Sequence, residues 1–319
     1  MKYQLMCSFV IIVVLVMYWY TPFFGFRSIP KEQFIENEYF GICQDDPVPY
    51  AGNKCNNSNT ISFGTVTPKC SSNFVDNAVV QVFGLKSCNV VNRKRARREL
   101  NNAIYCFHRQ NRAGFERDFK NLFPKTCNYV GSHVDYGITE VPMPKGVKCV
   151  RRYTMLRHPV KRLKSAIKYS GGKSLDFIHK DLLYAGDNHM TRVVAGQSLL
   201  CRSLPKIENK TDILRIAKYN LQHRYNWFGI VEMMEESMEL LGYQGKSSKI
   251  IQPALASSKG ASFTDEQILT RRRHFELDLE LYDFAVELLK CRYKRHKHQK
   301  EALLRTQTRE RRSIFQWFL

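Results

Sequence analysis

The feature that most constrains the fold is residues 153–169, which read as a short apolar strand, a break, and a basic helix. Pro159 suits the first turn of a helix, and the residue before it, His158, is kept out of the α region. Arg157 is therefore predicted at the carboxyl end of a strand, where open α/β sheets bind ligands. Together with the Ser165 hydroxyl two turns on, it suits a phosphate group. The alternative is an ordinary strand–turn–helix with a solvated arginine.

The amino terminus carries an apolar run at residues 5–24, behind a tail of residues 1–4. About 20 residues are needed to cross a bilayer as a helix, and Trp19 and Tyr20 suit the membrane interface. The run therefore predicts an uncleaved signal anchor with the remainder in the lumen. A cleaved signal peptide is the alternative, although the bulky residues at the end of the run do not suit a cleavage site.

The cysteines outside the anchor are dispersed and form no Cys-x-x-Cys pair, which disfavours a zinc site. Behind a membrane anchor they predict disulfides in an oxidising lumen. Their number is odd, so at least one is free or pairs between chains, which leaves a homo-oligomer open. They are Cys43, Cys55, Cys70, Cys88, Cys106, Cys127, Cys149, Cys201 and Cys291. Asn56 and Asn209 head two glycosylation sequons, consistent with that compartment.

The formal net charge is +21 in 319 residues, a field that favours a polyanionic partner. Nucleic acid, anionic lipid and acidic polysaccharide all satisfy charge alone. A lumenal location argues against nucleic acid and leaves an anionic glycan as the predicted partner.

The globular domain is predicted to open with a buried parallel strand at residues 78–83, because the run is rich in β-branched residues. Residues 25–72 are then a stem. The loop that follows the strand carries Lys86, Ser87, Cys88 and Asn89 ahead of a basic helical stretch. A strand, a small-residue loop with lysine and a helix form the layout of a phosphate cradle. An ordinary loop with an exposed lysine is the alternative.

Leu-Arg-x-Pro-Val-x-Arg-Leu-x-Ser-(x)3-Tyr, at residues 156–169, resembles the 3′-phosphate-binding segment of sulfotransferases that use 3′-phosphoadenosine 5′-phosphosulfate (PAPS). The similarity is closest to the membrane-bound carbohydrate O-sulfotransferases. That resemblance implies an α/β fold of the P-loop-kinase-like type, with a central parallel sheet flanked by helices. It assigns Arg157 and Ser165 to the 3′-phosphate, and the loop from Lys86 to Asn89 to the 5′-phosphosulfate. The family's loop is Pro-Lys-x-Gly-like, and here only Lys86 and Ser87 match it.

His133 lies in Gly131-Ser132-His133-Val134-Asp135-Tyr136, which is similar to a Gly-x-His-Val-x-Tyr stretch of the heparan sulfate and uronyl 2-O-sulfotransferases. The resemblance implies that His133 is the catalytic base, and imidazole suits proton removal near neutral pH. Asp135 or Glu140 is the alternative base or an orienting carboxylate.

Three later segments resemble the same family. Arg192 lies in an Asn-x-x-Thr-Arg segment and is predicted to face the nucleotide or an acceptor sulfate or carboxylate; a solvated arginine is the alternative. A strand and helix at residues 227–241 and a closing Asp-x-x-Leu-Tyr-x-Phe at 278–284 are markers of the fold. Thr264 to Gln267 is a capping box that predicts the start of a long helix.

The resulting expectation is a single-pass type II Golgi membrane protein that transfers a sulfuryl group from PAPS to a glycan hydroxyl, without a metal. The lumenal domain spans residues 73–295, and residues 296–319 form a basic tail that is solvated or contacts a polyanion or membrane surface. One alternative is an inactive sulfotransferase-like protein that binds polyanionic glycans. A nucleotide-dependent kinase is the other, but no complete Gly-x-x-x-x-Gly-Lys-Ser/Thr loop is present. The acceptor and the position sulfated are left open.

Overall fold

A computed structural model describes residues 59–87, 128–132, 146–172, 174–176, 178, 187–197, 209–243 and 262–317. The anchor predicted at residues 5–24 lies outside these ranges. Among the described residues, no helix is both long and apolar enough to span a membrane.

The centre of the structure is a parallel sheet of four strands in the order β2-β1-β3-β4. The strands are β1 (Thr60–Thr65), β2 (Tyr129–Ser132), β3 (Cys149–Leu156) and β4 (Trp227–Ile230). All six residues of β1 are buried, as expected for a strand that is paired on both sides in a parallel sheet. The α/β class predicted from the sequence is confirmed.

Helices connect and flank these strands. They are α1 (Ser72–Phe83), α2 (Pro159–Ser170), α3 (His189–Ala195), α4 (Lys210–Tyr219), α5 (Met234–Leu241), α6 (Asp265–Leu269) and α7 (Glu276–Trp317). A π-helical turn, Asn220–Arg224, follows α4, and 3-10 turns precede α5 and α7.

The organising stretch has the predicted form: β3 ends at Leu156 and α2 begins at Pro159. The strand and helix around residues 227–241 are also confirmed. The capping box at Thr264 is present, with the reciprocal bonds between Thr264 and Gln267. It opens only the short helix α6, and the long helix starts at Glu276 instead.

The prediction of a strand at residues 78–83 is wrong, because this run is the second half of α1. Val75, Ala78 and Val79 are buried in the core, at the i, i+3, i+4 spacing of one helical face. Gly84 ends the helix in the left-handed conformation, with φ 57°. The first described strand is β1, Thr60–Thr65, which lies inside the segment predicted as stem.

Asp278 at the start of α7 connects three helices. Its buried carboxylate accepts hydrogen bonds from the backbone N–H groups of Met190 and Thr191, at 3.2 and 2.8 Å, and from the Thr191 hydroxyl. The Arg162 guanidinium of α2 lies 3.6 Å away, and both side chains are fully buried. Helices α2, α3 and α7 thus meet at one buried polar group.

Candidate functional site

The candidate site lies at the carboxyl edge of the sheet, where the chain passes from β1 to α1. The connecting loop, residues 66–71, contains Pro68-Lys69-Cys70-Ser71. Lys69 and Ser71 have φ values of 69° and 59°, which L-residues rarely adopt. Alternation of left-handed residues along a loop can direct successive backbone N–H groups to one side, as in anion-binding nests. The first N–H groups of α1 also lack intrahelical partners.

The middle of this loop is fixed by the buried side chain of Cys70. The thiol is fully buried and packs in the core cluster with Val66, Val75 and Val79. Burial raises its pKa to about 12, so Cys70 is a neutral packing group rather than a nucleophile. The backbone N–H of Cys70 donates to the carbonyl oxygen of Thr67 at 3.1 Å, which tightens the loop.

Arg157 joins this loop from the end of β3. Its Nη1 donates to the carbonyl oxygen of Lys69 at 3.2 Å, and its buried Nε has no hydrogen-bond acceptor among the described residues. The pKa of Lys69 is lowered, first by burial and second by the positive charge of Arg157. Neither cation pairs with a described carboxylate. Two adjacent cations of this kind favour a bound anion such as a phosphate.

Helix α2 forms the wall beside Lys69. The Lys69 ammonium lies 3.8 Å from the centroid of the Tyr169 ring, and that side chain is 47% exposed. Ser165 is four residues earlier and therefore on the same helical face as Tyr169. Ser165, half-buried, is thus on the side of α2 that faces the loop, which is compatible with the phosphate role expected for it.

The turn after β3 is held by Glu232, which follows β4. Its Oε2 accepts hydrogen bonds from the backbone N–H of His158, at 3.0 Å, and from the Tyr282 hydroxyl, at 3.2 Å. Burial and the charge of Glu232 raise the pKa of Tyr282, so its hydroxyl stays a donor. The His158 and Tyr282 rings form a T-shaped contact with centroids 5.2 Å apart. These contacts fix the backbone next to Arg157.

A carboxyl–phenol pair lies over the ends of β1 and β2. The Tyr129 hydroxyl donates to Asp76 Oδ1 at 2.5 Å. Gly64 and Gly131 lie directly beneath, and a Cβ at either position would overlap this pair. Burial raises the pKa of Asp76 to about 6, an effect that the Tyr129 hydrogen bond partly offsets. The edge therefore carries one acidic group that titrates close to neutral pH.

Lys86 and Ser87 lie elsewhere. Because α1 runs back along the sheet, Lys86 is next to the beginning of β2: its N–H donates to Asn128 Oδ1 at 2.7 Å, and its carbonyl oxygen accepts from the N–H groups of Asn128 and Tyr129. Ser87 pairs with Tyr129 as an isolated bridge. This is the amino edge of the sheet, opposite Arg157. The prediction that a strand precedes Lys86 is therefore wrong, because α1 precedes it, while the phosphate cradle predicted there includes Cys88 and Asn89, which lie outside the described residues.

Lys69 is the loop lysine that sequence analysis missed. A signal was available, since Pro68-Lys69-Cys70-Ser71-Ser72 fits the Pro-Lys-x-Gly pattern with a following serine better than Leu85-Lys86 does. Serine replaces the glycine at the position where φ is 59°.

Several predicted residues lie outside the described residues: Cys88, Asn89, His133, Asp135, Glu140 and Asn56. The last described residue before His133 is Ser132, at the end of β2.

Arg192 and Asn209 are described. The Arg192 side chain, nearly buried in α3, donates from Nε to the carbonyl oxygen of Asp187 at 3.0 Å and from Nη2 to the Asp187 carboxylate at 3.4 Å. The structure therefore gives Arg192 a local partner and does not bring it to Lys69. Asn209 is exposed and caps α4 through Oδ1, which leaves its nitrogen available for a glycan.

No family model matches the chain, and no curated protein has a significantly similar sequence.

Proposed function

We propose that the protein is a PAPS-dependent carbohydrate sulfotransferase with a P-loop-kinase-like domain. The observation that carries the proposal is the convergence of the Lys69 loop and Arg157 at the carboxyl edge of a parallel sheet. Open α/β sheets bind nucleotides at this edge, and the two cations have no described carboxylate partner. The ordered resemblance of residues 156–169, 188–196 and 278–284 to sulfotransferase segments supports the same assignment.

In this proposal Lys69, with the N–H groups of residues 71 and 72, binds the 5′-phosphosulfate, and takes the role predicted for Lys86. Arg157 and Ser165 bind the 3′-phosphate. PAPS supplies the sulfuryl group. Lys69 offsets the negative charge that builds on the leaving phosphate, since fixed cations that meet charge developing in the transition state lower the barrier. Most of the catalysis is then positioning and charge stabilisation.

The acceptor hydroxyl must lose a proton as its oxygen attacks the sulfur. His133 remains the proposed base on the strength of the sequence resemblance. An imidazole side chain can accept a proton near neutral pH. Arg192 can bind the nucleotide or the acceptor only if its contacts with Asp187 are replaced by contacts with that ligand.

The compartment is proposed to be the Golgi lumen, behind a signal anchor at residues 5–24. Cys149 and Cys291 are disulfide-bonded, and disulfides persist in oxidising compartments. The exposed Asn209 is compatible with glycosylation.

The proposed acceptor is an anionic glycosaminoglycan-type glycan. The alternative, an inactive glycan-binding scaffold, drew its support from the poor match of the loop at Lys86. The loop at Lys69 removes that support, because a lysine stands in a strand–loop–helix connection beside Arg157.

The test is binding of PAP, the desulfated product nucleotide, to the full chain in detergent micelles by calorimetry. We expect micromolar binding by the wild type. Because a hydrogen bond to a charged group contributes about 1.5–3 kcal/mol, Lys69→Ala and Arg157→Ala should each weaken it at least about tenfold. Lys86→Ala is the matched control and should stay within twofold.

Failure of the folded wild type to bind PAP would overturn the proposed function. A loss in Lys86→Ala as large as that in Lys69→Ala would instead overturn the assignment of the loop.

A further inference from the structure

The final part of α7 is a strongly basic helix that lies outside the core. From Lys290 to Trp317 the sequence has ten lysines and arginines and two glutamates, a net charge of +8. All side chains from Lys297 to Thr308 are exposed. We refer to residues 290–308 as the basic extension.

The direction of α7 separates the basic extension from the candidate site. Tyr282 contacts Glu232, just beyond the carboxyl end of β4. Ten residues later, Arg292 lies over the ring of Phe228 within β4, and its Nη2 donates to the carbonyl oxygen of Gln222, which precedes the strand. Helix α7 therefore runs antiparallel to β4, and the basic extension continues away from the carboxyl edge.

One face of the basic extension is occupied by the protein itself. The Tyr293 hydroxyl donates to Glu239 at 2.9 Å, and the Lys300 ammonium donates to the same carboxylate at 3.0 Å. These contacts lower the pKa of Glu239, with the Lys300 hydrogen bond as the first cause. They fix the rotation of the helix about its own axis.

The neighbouring, outward face of the basic extension carries a row of cations next to Tyr293: Lys290, Lys294, Lys297 and Arg305. All four are exposed, and their spacings of four, three and eight residues keep them within one stripe of an α-helix. At 1.5 Å per residue the stripe is about 22 Å long. Lys290 is paired with Glu287 and Lys297 lies over Tyr293, contacts within the helix that do not neutralise the stripe as a whole.

The basic extension is costly as an isolated helix. Its side chains from Lys297 to Thr308 are all exposed, so this part has little of the packing that gives most protein helices their stability, and like charges three or four residues apart destabilise a helix further. A polyanion would remove that repulsion. A membrane surface fits less well, because an interfacial helix needs a continuous apolar face, whereas here Arg295, Gln299 and Thr306 lie away from the stripe.

We propose that the outward face of the basic extension binds a linear, sulfated polysaccharide at a place remote from the transfer site. In identifying this polysaccharide as the acceptor chain, the inference rests on the proposed function. Arg305 is about 35 Å along α7 from Tyr282, at 1.5 Å per residue. A long acceptor can therefore occupy both places at once, which raises its effective concentration at the transfer site.

The test uses the full chain in detergent micelles and fluorescent heparin as the probe. Lys297→Glu with Arg305→Glu should weaken binding about tenfold or more and reduce its salt dependence, since fewer counterions are released. Arg272→Glu with Arg273→Glu changes the charge equally at another exposed place, and should lose less than threefold. Lys297→Gln with Arg305→Gln, which retains good helix formers, should show an intermediate loss.

Equal losses in the glutamate pairs would overturn the inference in favour of a general positive field. Stronger binding to vesicles containing phosphatidylserine than to heparin would assign the face to a membrane. Concentration-dependent dimerisation abolished by Lys297→Glu with Arg305→Glu would assign it to a second copy. PAP binding is measured in parallel. If the wild type does not bind PAP, the proposed function alone is overturned. If Lys297→Glu with Arg305→Glu loses heparin binding but keeps PAP binding, the result supports both the proposed function and this inference.

Discussion

At the scale of single residues, Asp76 is held in an environment that disfavours its charge. It lies on α1 against Gly64 and Gly131, and its only hydrogen bond among the described residues comes from Tyr129. Burial raises its pKa to about 6, above the usual value of an aspartate. The folded state therefore binds this proton more tightly than the unfolded chain does. Between about pH 4 and pH 6 stability should fall as pH rises, and the cost persists at neutral pH.

Asp76→Asn should remove this cost, because an amide keeps the shape and can accept the Tyr129 hydrogen bond without a charge. We expect the variant to be about 2 kcal/mol more stable than the wild type at pH 7.5 and nearly equal to it at pH 4. Urea unfolding at both pH values measures the difference. A variant that is destabilised equally at both would show that the Asp76 carboxylate is stabilising, contrary to this account.

At the scale of elements, the buried Asp278 carboxylate connects α2, α3 and α7. Burial raises its pKa, and the charge of Arg162 is the first of the effects that oppose this. Removing one member of a buried ion pair costs about 3–5 kcal/mol, because the other is left buried without a partner. The two N–H groups of α3 would also lose their acceptor.

Asp278→Ala should therefore destabilise the protein by about 3–5 kcal/mol. The double variant Arg162→Met, Asp278→Ala should recover part of that loss, because no unpaired charge remains. A urea double-mutant cycle with Arg162→Met as the second single variant measures the coupling. Strictly additive losses would contradict the account, since they would mean that the two charges do not interact.

Elements with strong local signals could be predicted from sequence. Arg-x-Pro after an apolar run predicted the end of β3 and the start of α2. The Thr264 capping box predicted a helix start, which is the start of α6. Residues 78–83 could not be assigned reliably, because a short β-branched run suits a buried strand and a buried helical face equally well. In the structure the run is helical, and it buries Ala78 and Val79 together with Val75 on one face of α1.

The loop of the candidate site was missed for a related reason. β1 is Thr-Ile-Ser-Phe-Gly-Thr, half of it polar, and it lies inside the segment predicted as a stem. Inside the sheet those polar groups find partners: the Thr65 hydroxyl lies 2.7 Å from the Tyr225 hydroxyl, and the Thr65 carbonyl oxygen accepts from the Thr154 hydroxyl. Such long-range pairs carry no local sequence signal. The adjacency of Lys69 and Arg157 likewise depends on β1 pairing with β3.

At the scale of the whole molecule, net charge is a poor guide to the transfer site. Of the formal +21, +8 belongs to the end of α7, which runs away from Arg157. The sequence supported an anionic partner, but only the direction of α7 divides that charge between a candidate nucleotide site and a separate outward face.

The disulfides also concern the whole molecule, because a fold that needs them is stable only in an oxidising compartment. Cys149 opens β3 and Cys291 lies in α7, and both are disulfide-bonded, whereas Cys70 is a buried free thiol. Loss of a native disulfide typically costs about 2–5 kcal/mol, or roughly 5 °C or more in Tm for a domain of this size. Dithiothreitol should therefore lower the Tm of the wild type by at least about that amount.

Cys291→Ser should have a lowered Tm without reductant and a smaller further loss with it, since one bond is already absent. Cys70→Ala is the matched control: it removes a buried thiol but no bond, so dithiothreitol should lower its Tm as much as that of the wild type. Differential scanning fluorimetry of the full chain in detergent measures all three proteins. A wild type indifferent to dithiothreitol would mean that the disulfides do not stabilise the fold, and the proposal of an oxidising lumen would lose its structural support.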